Sequence, residues 1–241
     1  GNDAEANASH FSNDSNEGWK NWSNGTGEQA WMWKRHAGFD VVTYKGNGTA
    51  GKQVRHSLGK VPQMMWIKRR DSADNWAVYH FKANGGTNPS HYFLKINSTD
   101  EETDNANFWN DTDPTSDAFS LGPTTEVNGE TGTYLAMLFS SVDGISKVGS
   151  WTGTGDTQTI TVGFAPRFLM WKRANASEKW YVVDTLRGWT SSASEPYLQL
   201  NSSNAQSNTN LGDISSTGFT VTSGDNWQNN SGDTYIYYCH A

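Results

Sequence analysis

Val61-Pro62-Gln63-Met64-Met65-Trp66-Ile67-Lys68-Arg69 returns 104 residues later as Ala165-Pro166-Arg167-Phe168-Leu169-Met170-Trp171-Lys172-Arg173. The same offset carries Trp76 onto Trp180 and Val78 onto Val182. It also carries Phe93-Leu94-Lys95-Ile96-Asn97-Ser98 onto Tyr197-Leu198-Gln199-Leu200-Asn201-Ser202, with no insertion between Val61 and Ser98. Register held over that distance marks a duplicated structural unit, and duplication constrains the fold before any local propensity does. Upstream, Tyr44-Lys45-Gly46-Asn47-Gly48 matches Trp151-Thr152-Gly153-Thr154-Gly155 across a short gap, and downstream Ala118-Phe119-Ser120-Leu121 matches Gly218-Phe219-Thr220-Val221.

A closing segment occurs three times. Residues 24–33 align with residues 128–137 and with residues 229–238, and Trp22 pairs with Trp227. Two full units are therefore expected over 38–142 and 143–241, preceded by a segment, 1–37, that resembles the end of an earlier copy. Two origins fit that segment: a window cut from a longer array, or a strand that completes the first unit as in a permuted repeat.

Within each unit the apolar runs are short. Val41–Tyr44, Gln63–Lys68, Trp76–Phe81, Tyr92–Ile96 and Tyr134–Phe139 are rich in β-branched and aromatic residues and are separated by Gly, Asn, Asp and Ser clusters, the pattern of strands and turns. No run of twelve or more residues follows a helical period. Six to eight strands in about 100 residues predict an all-β fold of two tandem antiparallel β-sandwich or jelly-roll-like units; a propeller blade takes only about 40–50 residues. The acidic stretch Thr99–Asp117 carries no strand pattern and reads as an exposed loop anchored by Phe108-Trp109.

Composition narrows the function classes. Of 241 residues, 12 are Trp and 24 are Gly, and charged residues make up 18% against a usual value of about 25%. Polar composition of this kind approaches that of disordered chains, but 13% aromatics supply the large buried areas that such chains lack. A net charge of −7 with 18 Lys and Arg leaves no basic surplus to neutralise phosphates, so nucleic acid is not an expected partner. No apolar run approaches the roughly 18 residues of a membrane-spanning helix, so membrane insertion is not expected either. The single cysteine, Cys239, excludes an intramolecular disulfide and lies on the strand pattern Tyr235–Cys239, where it should point into a core.

Certain of these residues also carry a family resemblance. Gly163-Phe164-Ala165-Pro166, Met170-Trp171-Lys172-Arg173 and Trp180-Tyr181-Val182-Val183-Asp184-Thr185-Leu186-Arg187-Gly188 resemble a domain that recurs in tandem in virion and tail-fibre proteins of bacteriophages, especially those of marine cyanobacteria. Tyr197–Asn201, Gly218–Val221 and Gly232–Ile236 add further matches. The first unit departs from the pattern at His80-Phe81-Lys82-Ala83, where the second has Asp184-Thr185-Leu186-Arg187. The resemblance implies an extracellular structural or adhesive part of a virion, with no catalytic residues. Its partners would be copies of itself or other virion proteins, with host-surface glycan as a further candidate.

The chemistry readable from the residues agrees. There is no nucleophile elbow, phosphate loop with its helix and Lys, or paired Cys motif. Gly46-Asn47-Gly48 and Gly153-Thr154-Gly155 read as turns or bulges. The histidines, His10, His36, His56, His80, His91 and His240, never adopt a ligand-like spacing, so no metal and no cofactor are expected. Glu28, Asp184, Glu195 and Asp233 are the carboxylates that could form a glycosidase pair, which needs only two facing a sugar cleft. Glu28 and Asp233 follow turn glycines, where polar residues suit turn geometry, and an enzyme is not the expected reading. About ten Asn-x-Ser/Thr sequons occur, among them Asn7, Asn21, Asn47, Asn97, Asn175 and Asn201, in a composition that generates several by chance. Tryptophan is the better lead. Trp66, Trp76, Trp171 and Trp180 fall on strands and are expected in cores. By contrast Trp19, Trp22, Trp109, Trp189 and Trp227 fall among turn residues, as exposed rings for stacking on sugars or partners, or as loop anchors folded back onto their own unit.

Overall fold

The computed structural model describes residues 33–35, 37–190, 194–222 and 225–241. In the first repeat, strands β1 (Phe39–Lys45), β2 (Lys52–Arg55), β3 (Met64–Arg69), β4 (Trp76–His80), β5 (Tyr92–Lys95) and β6 (Thr103–Asp104) precede a one-turn helix α1 (Ala106–Trp109). Strand β7 (Ala118–Leu121), a second helical turn α2 (Thr125–Asn128) and strand β8 (Thr133–Phe139) complete it. Six strands form an antiparallel sheet in the order β1-β8-β3-β4-β5-β6, and β2 pairs with β7 in a small second sheet. The acidic stretch from Thr99 is thus more ordered than its sequence predicts: β6 pairs with β5, and α1 turns Phe108 and Trp109 inward.

The second repeat reproduces this plan. Its strands are β9 (Ser146–Thr152), β10 (Gln158–Thr161), β11 (Phe168–Arg173), β12 (Tyr181–Asp184), β13 (Glu195–Gln199), β14 (Ser207–Thr209), β15 (Ile214–Ser215), β16 (Gly218–Val221) and β17 (Thr234–His240). The large sheet runs β14-β13-β12-β11-β17-β9, the order of the first repeat strand for strand, and the small sheet runs β10-β16-β15.

Burial along β3 and β11 decides how the layers stack. Five consecutive residues are buried in each, Met64–Lys68 and Phe168–Lys172, so both faces of each large sheet are covered. Met65 and Ile67 point to one core with Phe119 and Leu121 of the small sheet, and Leu169 and Trp171 point to its counterpart with Phe219 and Val221. The alternate residues Met64, Trp66, Phe168 and Met170 meet in one central core, with Val78, Val182, Ile236 and Tyr238. The two large sheets therefore pack face to face through homologous surfaces, and the small sheets lie outside, giving four layers. This is the geometry of a two-fold dimer written into one chain. Trp33, from the closing segment upstream of β1, sits in the same layer against Trp66 and Phe139 of the first repeat and Phe168 of the second. Residues 1–32 and His36 of that segment lie outside the described residues.

Hydrogen bonds join the repeats as well. Trp180 Nε1 donates to the Lys95 carbonyl at 2.8 Å and buried Lys172 donates to the Thr99 carbonyl at 3.0 Å. The amides of Glu178 and Glu102 donate to the carbonyls of Thr99 and Ala174, each at 2.8 Å. Burial lowers the Lys172 ammonium to about 8.

Each repeat closes with the same polar corner. Asn128 donates to the carbonyls of Thr49 and Gly122 and accepts from the Asn47 amide, at 2.9, 3.0 and 3.0 Å. Asn229 donates to those of Asp156 and Thr222 and accepts from Thr154. Beside them the Tyr134 hydroxyl bridges the Thr125 carbonyl and the Gly129 amide, and Tyr235 bridges Asn226 and Asn230. Satisfying these buried loop groups is what permits the turn to be buried at all. The Gly-x-Gly motifs are turns of this corner. A Cβ on Gly46 would lie 2.1 Å from the Gly129 carbonyl, and one on Gly153 would lie 2.0 Å from that of Asn230.

Candidate functional site

The five loop tryptophans singled out by sequence divide sharply. Trp109 and Trp189 are 1% and 0% exposed, which corrects the reading of both as exposed rings and leaves the other, loop anchors folded back onto their own unit. Trp109 Nε1 donates to the Tyr92 carbonyl at 2.9 Å and its ring meets Tyr79 edge-on. Trp189 Nε1 donates to that of Gly212 at 3.3 Å and its ring meets Phe219. Both are anchors, because a loop that carries an indole beside an unfinished core gains more by burying the ring than by exposing it. Trp19 and Trp22 lie outside the described residues.

Of the three that are described, Trp227 is the one that stays half-exposed, and it does not stand alone. Its ring lies 5.0 Å from that of Tyr181, 5.8 Å from Trp171 and 6.1 Å from Tyr197, the last stacked at 23°. Trp171 and Tyr181 are register partners on β11 and β12, and Tyr197 lies on the adjacent β13. Alternation along three neighbouring strands thus projects three aromatic rings onto one face, and the loop before β17 lays Trp227 across them. The Trp171 indole donates to the Trp227 carbonyl at 3.0 Å, which fixes that loop. Trp171 is fully buried, whereas Tyr197 and Trp227 remain half-exposed, so the cluster is a shelf with a rigid floor.

Carboxylates rim the shelf. The Tyr181 hydroxyl donates to Glu178 at 3.0 Å; burial, then the Glu178 carboxylate, pushes the phenol well above its ordinary range. Asp225 is exposed close by and acts in the same direction. Flat apolar faces beside carboxylate acceptors suit the C–H face and hydroxyl edge of a sugar ring. Sequence reasoning reached Trp227 but missed Tyr181 and Tyr197. The signal was present in the register, since Trp171, Tyr181 and Tyr197 fall on the same face once β11, β12 and β13 are paired.

The first repeat has no such shelf. Ile67, Ala77 and Phe93 stand where Trp171, Tyr181 and Tyr197 do, and Phe93 is covered by Phe108 of α1, stacked at 3.6 Å. Glu126 occupies the Trp227 position and accepts from Asn75 at 2.6 Å.

The described carboxylates of the candidate glycosidase set are held by structural partners. Asp184 binds Arg187 at 2.7 Å and Asp233 binds Arg173 at 2.8 Å. Glu195 is fully buried and accepts from the Leu211 amide at 2.9 Å. Glu28 lies outside the described residues. Cys239 is buried and free, its thiol pushed up by burial. Among the described residues no three His, Cys, Asp or Glu side chains converge as metal ligands.

The chain belongs to the family described as Domain of unknown function (DUF7483), which it matches over residues 7–241. No curated protein and no solved structure is significantly similar to it.

Proposed function

We propose that this DUF7483 chain is a non-enzymatic structural or adhesive protein of an extracellular appendage, of the phage-virion kind, acting by assembly and by surface binding through the aromatic shelf of its second repeat. The observation that carries the binding half is the Tyr197–Trp227 pair, stacked yet half-exposed over buried Trp171. Large amphipathic rings on a rigid floor lose little entropy when they bind, which is why such residues dominate binding surfaces. The appendage half rests on the resemblance of the Met170–Arg173 and Trp180–Gly188 motifs to tail-fibre domains. Assembly is supported by β1 and β9, each seven residues long and, among the described residues, at the margin of its sheet, where a neighbouring copy can add a strand.

Titration of intrinsic tryptophan fluorescence with bacterial surface glycans tests the shelf. A saturable change is expected for the wild-type chain, weakened at least about tenfold in Trp227→Ala when both are titrated well below their melting transitions. No change with any glycan defeats the binding half. A strictly monomeric species by light scattering at high concentration defeats the assembly half. The second reading, a secreted carbohydrate-binding module, draws on the same shelf and is favoured if that monomer binds glycan.

A further inference from the structure

A second concave site lies in the first repeat, away from the shelf. The loop before β3, the end of β4, the 3-10 turns that follow it and the loop after α1 enclose a cleft of about 540 Å³, within the usual range of small-molecule sites. Its walls include Pro62, Phe81, Pro89 and Pro114, and its polar lining includes Tyr79 and Ser140.

Two of those polar groups are unused. Tyr79 is only 2% exposed, yet its hydroxyl has no hydrogen-bond partner among the described residues and is not sealed from the cleft. The ring is held from behind by Trp109 at 5.9 Å. Ser140 is also 2% exposed, and its Oγ is buried without a partner. Leaving a sealed hydroxyl unpaired costs about 1–3 kcal/mol in a finished interior; Ser140 is such a group, and the Tyr79 hydroxyl beside it opens on the cleft with its donor and acceptor free, so the pair points to a ligand that completes them. The charged groups there balance: the Lys60 ammonium is engaged with the Ser141 carbonyl at 3.1 Å, and Asp113 supplies one carboxylate.

The second repeat has dismantled this site. The repeat offset replaces Tyr79 by Val183, Phe81 by Thr185 and Gln63 by Arg167, and the closing-segment offset replaces Ser140 by Ala241. Gly86, which lines the cleft in the first repeat, becomes Thr190, and its neighbour Gly85 becomes Trp189, which is fully buried. Copies that share a backbone plan but differ at every one of these positions differ in what the place is for.

We propose that the cleft around Tyr79 and Ser140 is a binding site for a neutral saccharide of one or two rings. Hydroxyl groups that both donate and accept match sugar hydroxyls, balanced charge selects against ions, and the proline and phenylalanine walls take the apolar sugar faces. This extends the surface-binding reading to a second site, and the two are separable by mutation. The test uses the whole chain with cellobiose, lactose and N,N′-diacetylchitobiose as probes, followed by saturation-transfer NMR and calorimetry. At least one probe is expected to bind saturably and to weaken roughly tenfold in Tyr79→Phe and in Ser140→Ala. Each variant deletes only an unpartnered oxygen, so the melting temperature should hold. Trp227→Ala should leave this binding intact. The proposal is overturned if no probe binds, or if binding is unchanged in both cleft variants. It is likewise overturned if Trp227→Ala alone abolishes binding, a result that would leave the shelf standing.

Discussion

The two repeats share their polar framework and differ in their aromatics. Both fold into the same order of six strands, and both bury one asparagine ahead of the last strand and one tyrosine at that strand's start. The large rings are distributed differently. Trp66 points into the central core, while Trp171, one residue on in the aligned strand, points to the outer core. A shift of one residue along a strand moves a side chain to the opposite face, so equal composition gives two different surfaces. The comparison teaches that the hydrogen-bonded turns hold the duplicated backbone in common, and that the sites worth testing lie where the copies diverge: the shelf in one, the cleft in the other.

The largest expected effect breaks the comparison at its centre. Trp180 is fully exposed to neither solvent nor a loop; it is 0% accessible between the sheets and donates to Lys95 of the other repeat. Its counterpart Trp76 packs against the same core but is only half-buried. Trp180→Ala should cost about 3–5 kcal/mol and Trp76→Ala roughly half as much, read from urea unfolding. Because the central core belongs to both repeats, Trp180→Ala should shift one cooperative transition. Two resolved transitions, with only the second repeat weakened, would show that the copies are stable separately.

A second contrast is His80 against Asp184, which occupy the same repeat position. Asp184 is paired with Arg187 at 2.7 Å. His80 is sealed between the repeats, its Nε2 donating to the Tyr237 carbonyl at 3.4 Å and its Nδ1 accepting from the Lys82 amide at 3.2 Å. Burial lowers it to about 3, with the nearby Lys82 charge acting the same way. The unfolded chain protonates this histidine below about pH 6.5, so between the two values the unfolded state binds more protons. Its contribution is complete above pH 6.5 and falls as pH drops toward 3, by up to about 1.4 kcal/mol per unit. The stability difference between wild type and His80→Gln should therefore shrink on acidification, and a difference independent of pH would refute the neutral, buried assignment.

Much of this was legible in the sequence, because a gapless repeat carries its own evidence of register. The strand read over Gln63–Lys68 and found at Met64–Arg69, its copy and the buried position of Cys239 all follow from periodicity and alignment. The face-to-face packing does not. An uninterrupted apolar run indicates only that both faces are covered, and not that the cover on one side is the other repeat. The choice between exposed ring and loop anchor stayed open for Trp109 and Trp189 for a related reason: a tryptophan among turn residues looks alike whether the loop folds inward or outward, and the outcome depends on the Tyr92 and Gly212 carbonyls that receive the indoles. The cleft left no linear signal, since Tyr79 and Ser140 come from different strand ends.

The smallest expected effect sharpens the comparison at the conserved arginine of each repeat. Arg69 reaches Asp71 and Asp74 at 2.8 and 3.3 Å, acids of the loop beside its own strand, with Asp71 40% exposed. Arg173 instead reaches Asp233 at 2.8 Å, ahead of the closing strand, with side chains 17% and 12% exposed. Asp233 also accepts from Asn175 and Asn230, and the first repeat has Gly132 in its place. Water and salt screen the first pair far more than the second. Asp71→Asn should then cost under about 1 kcal/mol and vanish in high salt, whereas Asp233→Asn should cost about 1–3 kcal/mol and persist, because it leaves a buried guanidinium short of an acceptor. Equal costs for the two substitutions would mean that the acid moved between elements without any change in how tightly the last strand is held.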